Sequence, residues 1–599
     1  MIAPHPLTRR LRASAGLLSL TFLLIPAAMP AAAVEQSGQV PPADAAFEAL
    51  VADYQAWRET QDPIRAGRRG DLEAAARWPD ASFEAAAARH KRRGEFLERL
   101  EAIDAAGLSP RHGTSFAVLD YLLSSEVALA PYEDERMPFV NDSGFFSMPL
   151  SVAASTRPRS VEAARAWLKR LERLPAWLAA QRKWLEKGIA DGFVQPRPVV
   201  EAVIEQLAAI AETPPADSPL VEPLDRLPPA IAAGNAPELK QRAVALVADK
   251  VRPAYRELLA FFRQHYLPAA RESIGISEVP DGRAYYRELV RKHTTLDTTP
   301  EEVHERGLAE VERIRAEMDE VIDEAGFDGG FEAFIEFLRT DEQFYADTPK
   351  QLLMHASWIA KRIDDRMPAY FGRLPRLPYG VRPVPAHMAP NYTTGRYWPG
   401  DLENGVAGGY MVNTYALDQR PLYTLPALTL HEAVPGHHHQ GALAQELEGV
   451  PEFRRDTYIT AFGEGWALYT EHLGIEMGIY TTPYEYFGRL SYEMWRACRL
   501  VVDTGIHYFG WSREQAEACF LENSALAPHN VRTEVLRYIS WPGQALAYKT
   551  GELLVRDLRA RAEKALGAGF DLRAFHDHLL AEGAMPLTAL EERMTAWTE

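Results

Sequence analysis

Cysteine is nearly absent. The 599-residue chain has only Cys498 and Cys519, so a disulfide framework is excluded; one bridge in an oxidising compartment and two buried thiols both stay open. Beyond the N-terminus no apolar run is long enough to span a bilayer, so the mature chain is expected to carry no integral membrane segment. Basic residues are in deficit: 65 Lys and Arg face 83 Asp and Glu, for a formal charge of −18. That balance argues against nucleic acid as a partner, whose phosphates need a basic face. Strand signals are few, and no internal repeat is present.

What is there is ordinary globular composition, 47% hydrophobic and 25% charged, enough for a large core. Arg9, Arg10 and Arg12 precede a short apolar run at 17–26, and Ala31-Ala32-Ala33 offers small residues for cleavage. This reads as a signal peptide over 1–33, cut near Ala33, and predicts a periplasmic or secreted protein. No cysteine lies near that cut, which argues against a lipid anchor. Losing the three leader arginines would take the formal charge from −18 to −21.

Helical periodicity dominates the rest. Ser160 caps a predicted helix over 160–190, with Trp167, Leu168, Leu171, Leu174, Trp177 and Leu178 at helical spacing. Thr299, Pro300 and Glu302 form a capping box for a helix over 300–323, with Leu308, Val311, Ile314, Met318 and Val321 as its apolar stripe. Ser512 and Gln515 start another at 513–520. The best strand is 410–414, entered through Gly408-Gly409. Proline-rich breaks lie at 213–230 and 375–390. The expected organisation is a helical part over 34–299 and a helical, metal-binding part over 300–599, joined as one cleft-forming unit.

The most informative stretch is His431-Glu432-Ala-Val-Pro435-Gly436-His437. A helical histidine followed by glutamate is half of a zinc-peptidase motif: the imidazole ligates, and the carboxylate reaches the activated water as general base. The usual second histidine falls four residues on, where this chain has Pro435. His437 is six residues on, which on an ideal helix means about 9 Å of rise and about 240° of rotation. Two such imidazoles cannot share one ion, so the helix has to deform at Pro435-Gly436. The neighbouring His438 and His439 are weaker candidates, either supporting the ligands or simply exposed. A histidine-rich helix end without metal is the plain alternative.

Downstream, Glu464 lies 27 residues beyond His437 and is the candidate third ligand. Glu471, seven residues further on the same helical face, is the candidate partner of a ligating histidine. Asp503 and His507, four apart, suggest an oriented imidazole for a developing oxyanion, or a structural pair. Tyr548 is a second oxyanion candidate. Arg537 and Lys549 are candidates for binding a substrate carboxylate. The 410–414 strand, with Tyr410 and Asn413, could take extended substrate backbone by strand addition, or be ordinary structure.

With these residues in hand, the chain resembles bacterial domain-of-unknown-function family 885. The carrying motifs are His-Glu-Ala-Val-Pro-Gly-His at 431–437, Gly-Glu-Gly-Trp-Ala-Leu-Tyr at 463–469, Val-Asp-Thr-Gly-Ile-His with Gly-Trp-Ser-Arg-Glu-Gln-Ala in 502–516, and Pro-Gly-Gln-Ala-Leu-Ala-Tyr-Lys at 542–549. That family in turn resembles gluzincin metallopeptidases such as thimet oligopeptidase, carboxypeptidase Taq and angiotensin-converting enzyme. Dipeptidyl peptidase III also has a lengthened histidine spacing. The resemblance implies a mainly α-helical fold with a deep cleft and one small sheet near the metal. It implies one Zn2+ per chain on His431, His437 and Glu464, with Glu432 as base. The expected activity is hydrolysis of short peptides. The alternatives are a metal-dependent amidase or esterase on a non-peptide substrate, or an exported metal- or peptide-binding protein without turnover.

Overall fold

Capping residues in the sequence mark where helices begin. In the computed structural model, which describes residues 41–599 apart from 387 and 404, helix α1 spans Val161–Asp191 and helix α2 spans Pro300–Glu324. Ser160 accepts from the Ala163 amide at the start of α1, and left-handed Gly192 ends it. Thr299 and Glu302 make the reciprocal capping box of α2. The proposed signal segment 1–33 lies outside the described residues.

Seven further helices surround the region of interest: α3 Leu425–Glu432, α4 His437–Gln445, α5 Thr460–Glu476, α6 Pro483–Thr504, α7 Arg513–Asn523, α8 Pro528–Ser540 and α9 Ala547–Leu566. Helix α2 packs lengthwise on α6, and α5 on α9. One apolar core runs through the described residues from Phe47 to Met594. No helix among them is long and apolar enough to cross a membrane.

The α2 stripe is rotated from the expected one. Leu308 is exposed, whereas Val303, Gly307, Ile314, Met318 and Val321 are buried. Gly307 explains the rotation, because a Cβ there would sit 2.8 Å from Leu500 and Val501 of α6. A glycine, invisible to hydrophobic periodicity, sets the closest approach of the two helices.

Three strands, β1 Tyr379–Pro383, β2 Gly395–Trp398 and β3 Gly408–Val412, form one sheet in the order β1-β3-β2. Strand β3 runs parallel to β1 and antiparallel to β2. This corrects the expectation for 410–414: the strand is central, both its edges are paired, and it has no free backbone for strand addition. Tyr410 is fully buried, with its hydroxyl near that of Thr429. Asn413, just past the strand, donates its amide to the carbonyls of Ala389, Tyr392 and Thr393, so it clamps a loop.

Helix α6 is buried on every side from Phe487 to its end. It nevertheless carries Arg489, Glu493, Arg496, Arg499 and Asp503, spaced 4, 3, 3 and 4 residues apart and so lying along one face. Buried charges require partners, and the following sections trace them. Cys498 of α6 and Cys519 of α7 are unbridged thiols with their sulfurs 2.9 Å apart.

Candidate metal centre

Helix α3 stops at Glu432 because Pro435 has no amide to continue it. The amides of Ala433 and Gly436 bond back to the carbonyls of Thr429 and Leu430, both at 3.0 Å. The Val434–Pro435 peptide is cis. A Cβ on Gly436 would lie 1.9 Å from the His431 carbonyl oxygen, so only glycine fits this return. The Trp466 indole N–H holds the Pro435 carbonyl at 2.8 Å. Helix α4 then begins at His437. The break cancels the rotation of an ideal helix and brings the His431 and His437 rings to 4.8 Å, edge to face.

Helix α5 brings Glu464 to the same point. Its flanking glycines have separate jobs. A Cβ on Gly463 would strike the Tyr458 ring at 2.4–2.5 Å, and one on Gly465 would strike the α9 backbone at Gly551 at 2.5 Å. Glycine on one side therefore admits a tyrosine over the glutamate, and on the other a tightly packed helix. Glu464 Oε2 lies 3.4 Å from His431 Nε2 and 3.3 Å from His437 Nε2. One donor atom from each of the three residues falls within 4.8 Å of the others.

Each group is held from behind. His431 Nδ1 meets Glu471 Oε1 at 2.8 Å, which points Nε2 towards Glu464. Arg496 reaches the same Glu471 oxygen at 3.1 Å. Burial pulls the His431 imidazole down, but hydrogen bonds to Glu464 and Glu471 and the charge of Glu432 outweigh it, lifting the pKa to about 9. Burial pushes the Glu464 carboxyl up, but His437 and His431 hold it well below the usual range. Glu432 Oε2 accepts the Tyr397 amide of edge strand β2 at 2.7 Å, and Oε1 is left for other work. The Tyr458 hydroxyl donates to Glu464 Oε1 at 3.3 Å.

This donor set suits a divalent ion. Bonds of about 2.0–2.1 Å at a tetrahedral centre put ligand atoms about 3.3–3.4 Å apart, the separation of both His–Glu edges. Two imidazoles and a carboxylate are borderline donors typical of zinc. Three carboxylates, Glu432, Glu464 and Glu471, meet a single guanidinium, Arg496. The side chains of His437 and Glu464 are 13% and 15% exposed, so solvent reaches one side.

Several residues singled out in the sequence are not at this cluster. His507 is fully buried; its Nδ1 accepts the Ile276 amide and its Nε2 donates to the Tyr538 carbonyl, leaving no nitrogen for an oxyanion. Burial pushes its pKa down to about 3. Asp503 does not touch His507 but binds the Tyr286 hydroxyl and the Gly543 amide. Arg537 is spent on Glu534 and Gln544, and Lys549 is fully buried among Glu310, Glu493 and Glu552. Neither is free to take a substrate carboxylate. Tyr548 is partly buried beneath the Arg499 guanidinium, 4.2 Å from its ring, and is close enough to Tyr458 to act on it electrostatically.

The other two histidines of the run are buried, not exposed. His438 bonds the Leu377 carbonyl and the Tyr397 hydroxyl. His439 packs on Phe371 with neither nitrogen partnered, and burial pushes its pKa down to about 3.

Tyr458, Tyr397 and Arg496 escaped sequence reasoning. Tyr458 precedes α5, so no helical register ties it to Glu464. Tyr397 acts through its backbone. Arg496 is one of several charges on a helix that is buried on every side, so it needs a buried partner, but local spacing does not say which.

Residues 63–594 match the family described as "Bacterial protein of unknown function (DUF885)". The fold is similar to that of a "putative lipoprotein" from Colwellia psychrerythraea, at 25% identity and a TM-score of 0.86, covering 93% of this chain and all of that one. It is also similar to a "putative lipoprotein of unknown function" from Shewanella oneidensis, at 18% identity and a TM-score of 0.72, covering 92% of this chain and 99% of that one. No curated protein matches the chain significantly.

Proposed function

We propose, from the premise that this chain belongs to the DUF885 family of bacterial proteins, that it is an exported zinc-dependent hydrolase of short peptides, similar in chemistry to gluzincin peptidases. The observation that carries this reading is the convergence of His431, His437 and Glu464 beside a glutamate with one free oxygen, in a cluster short of positive charge. Export is supported by the leader at 1–33 and by the lipoprotein description of the two solved relatives.

His431, His437 and Glu464 would hold the ion. When bound, zinc supplies a Lewis acid for the scissile carbonyl and brings a water's pKa towards 7. Glu432 takes the proton of the attacking water on Oε1, while the Tyr397 amide fixes Oε2. The same carboxyl then delivers that proton to the leaving nitrogen. Glu471 and Arg496 keep His431 in one orientation. The Tyr458 hydroxyl stands ready to donate to the oxyanion.

The test is metal content and hydrolysis by the purified mature protein, wild type beside His437→Ala and Glu464→Ala. About one zinc per chain, lost in both variants, together with cleavage of short peptides supports the reading. A wild type that holds no metal after zinc addition overturns it. Cleavage confined to esters or non-peptide amides moves the assignment to an amidase or esterase, and tight metal binding without turnover moves it to a binding protein.

A further inference from the structure

The residues first expected to bind a substrate carboxylate are both neutralised, yet another arginine is not. A cavity of about 190 Å³ lies beside α3 and α6, lined by Arg339, Arg420, Tyr345, Tyr423, Tyr492 and Leu526 among others. Arg339 is spent: its guanidinium donates to the carbonyls of Ser524, Ala525 and Leu526. Arg420 is poorly satisfied. Its Nη1 makes only long contacts, 3.4 Å to the Gln419 carbonyl and 3.5 Å to Thr394, and its buried Nε has no partner. No carboxylate among the described residues is within ion-pairing distance of it; Asp418, also on the cavity wall, acts on it only through space. A half-buried guanidinium without a counter-ion is unusual in a chain with a formal charge of −18.

The cavity is tied to the metal-type cluster by contact and by distance. Its wall residue Thr394 directly precedes β2, the strand whose Tyr397 amide holds Glu432. Its wall residue Thr424 precedes α3, and seven residues along that helix, about 10 Å of rise, stands His431. Tyr492 carries the Arg496 guanidinium 4.9 Å from its ring, and Arg496 bonds Glu471, the partner of His431.

We propose that Arg420 binds the C-terminal carboxylate of the peptide substrate, with the tyrosine walls taking an apolar C-terminal side chain. This rests on the hydrolase reading above. An extended chain covers about 3.3–3.6 Å per residue, so the roughly 10 Å from the cavity wall at Thr424 to His431 alone takes about three residues. The expected products are therefore short peptides of about three residues or more released from the C-terminal end. Guanidinium and carboxylate suit each other through paired N–H···O bonds, and the ligand supplies the missing charge.

The experiment uses the zinc-loaded mature protein and N-acylated peptides ending either in a free acid or in an amide, against wild type and Arg420→Gln. Wild type should prefer the acid by roughly 10- to 100-fold in kcat/KM, mainly through KM, the range of a lost charged hydrogen bond. Arg420→Gln should abolish that preference, so that acid and amide are cut with kcat/KM values within a few-fold of each other. Equal cleavage of acid and amide by wild type overturns the role of Arg420 and leaves the hydrolase reading intact. If neither peptide is cut, the hydrolase reading fails, and calorimetric binding of an N-acyl dipeptide acid against its amide decides Arg420 alone. An acid preference lost in Arg420→Gln supports the site; equal binding, or none, overturns it.

Discussion

Two carboxylate-rich clusters lie in the helical core, and they are neutralised differently. Around Glu493, the acids Glu310, Glu317 and Glu552 interleave with Arg313, Arg489, Lys549 and Arg556, four against four. Burial pushes the Glu493 carboxyl up, but Lys549, Arg489 and Arg313 hold it well below the usual range. Around Glu464, three carboxylates share only Arg496 as a fixed cation, and their other partners are two imidazoles, the Tyr397 amide and the Tyr458 hydroxyl. The first cluster is complete within the chain. With both imidazoles neutral, as metal ligands must be, the second is two charges short, the deficit that one divalent cation would fill. Asp503 shows a third solution: with only neutral donors on it, burial raises its pKa to about 7 and it is protonated below that.

The contrast breaks most visibly at Lys549. Lys549→Met should cost about 3–5 kcal/mol in denaturant unfolding, because it strands buried carboxylates, and should leave zinc stoichiometry unchanged. Glu464→Gln should behave differently. The metal-free Glu464→Gln protein should lose far less stability than Lys549→Met, since only the contact with two imidazoles goes and no buried charge is stranded. It should also lose the zinc-dependent stabilisation that wild type gains, about 2.7 kcal/mol at 100 times Kd. A metal-free Glu464→Gln protein destabilised as much as Lys549→Met would erase the distinction between the clusters.

Asp503 sharpens the comparison through pH. Its folded pKa of about 7 lies above the unfolded value of 3.8, so the folded state binds the extra proton between them. Stability should therefore fall as pH rises from 4 to 7, by up to about 4 kcal/mol from this group, and level off above. Asp503→Asn keeps an acceptor for Tyr286 and should flatten that slope in urea titrations at each pH. Glu432→Gln should retain zinc and lose roughly 10²- to 10⁴-fold in turnover. Tyr458→Phe is the mildest case: zinc retained and kcat lowered several-fold, with an unchanged rate excluding its hydroxyl from the reaction.

Much of the fold was legible in caps and periodicity. Ser160, Thr299 with Glu302, and Ser512 with Gln515 start helices where local hydrogen bonding favours a start. The α2 face and the central position of β3 were not legible, because both depend on what packs opposite. At the site, His431, Glu432, His437, Glu464 and Glu471 could be named from spacing and residue type, and the structure brings these five together. Arg537, Lys549, Asp503 and His507 have suitable chemistry for binding or catalysis, but each is consumed by a partner far away in sequence. Arg420 carries no motif at all; it stands out only because no carboxylate among the described residues pairs with it.

By itself the sequence determined the helices, the motif residues and the need for a break at Pro435-Gly436, since these follow from backbone chemistry within a few positions. Only the tertiary structure decided which charges are spent and which remain free. Pairing depends on groups such as Lys549 and Glu493, 56 residues apart along the chain but joined at 2.8 Å in the core.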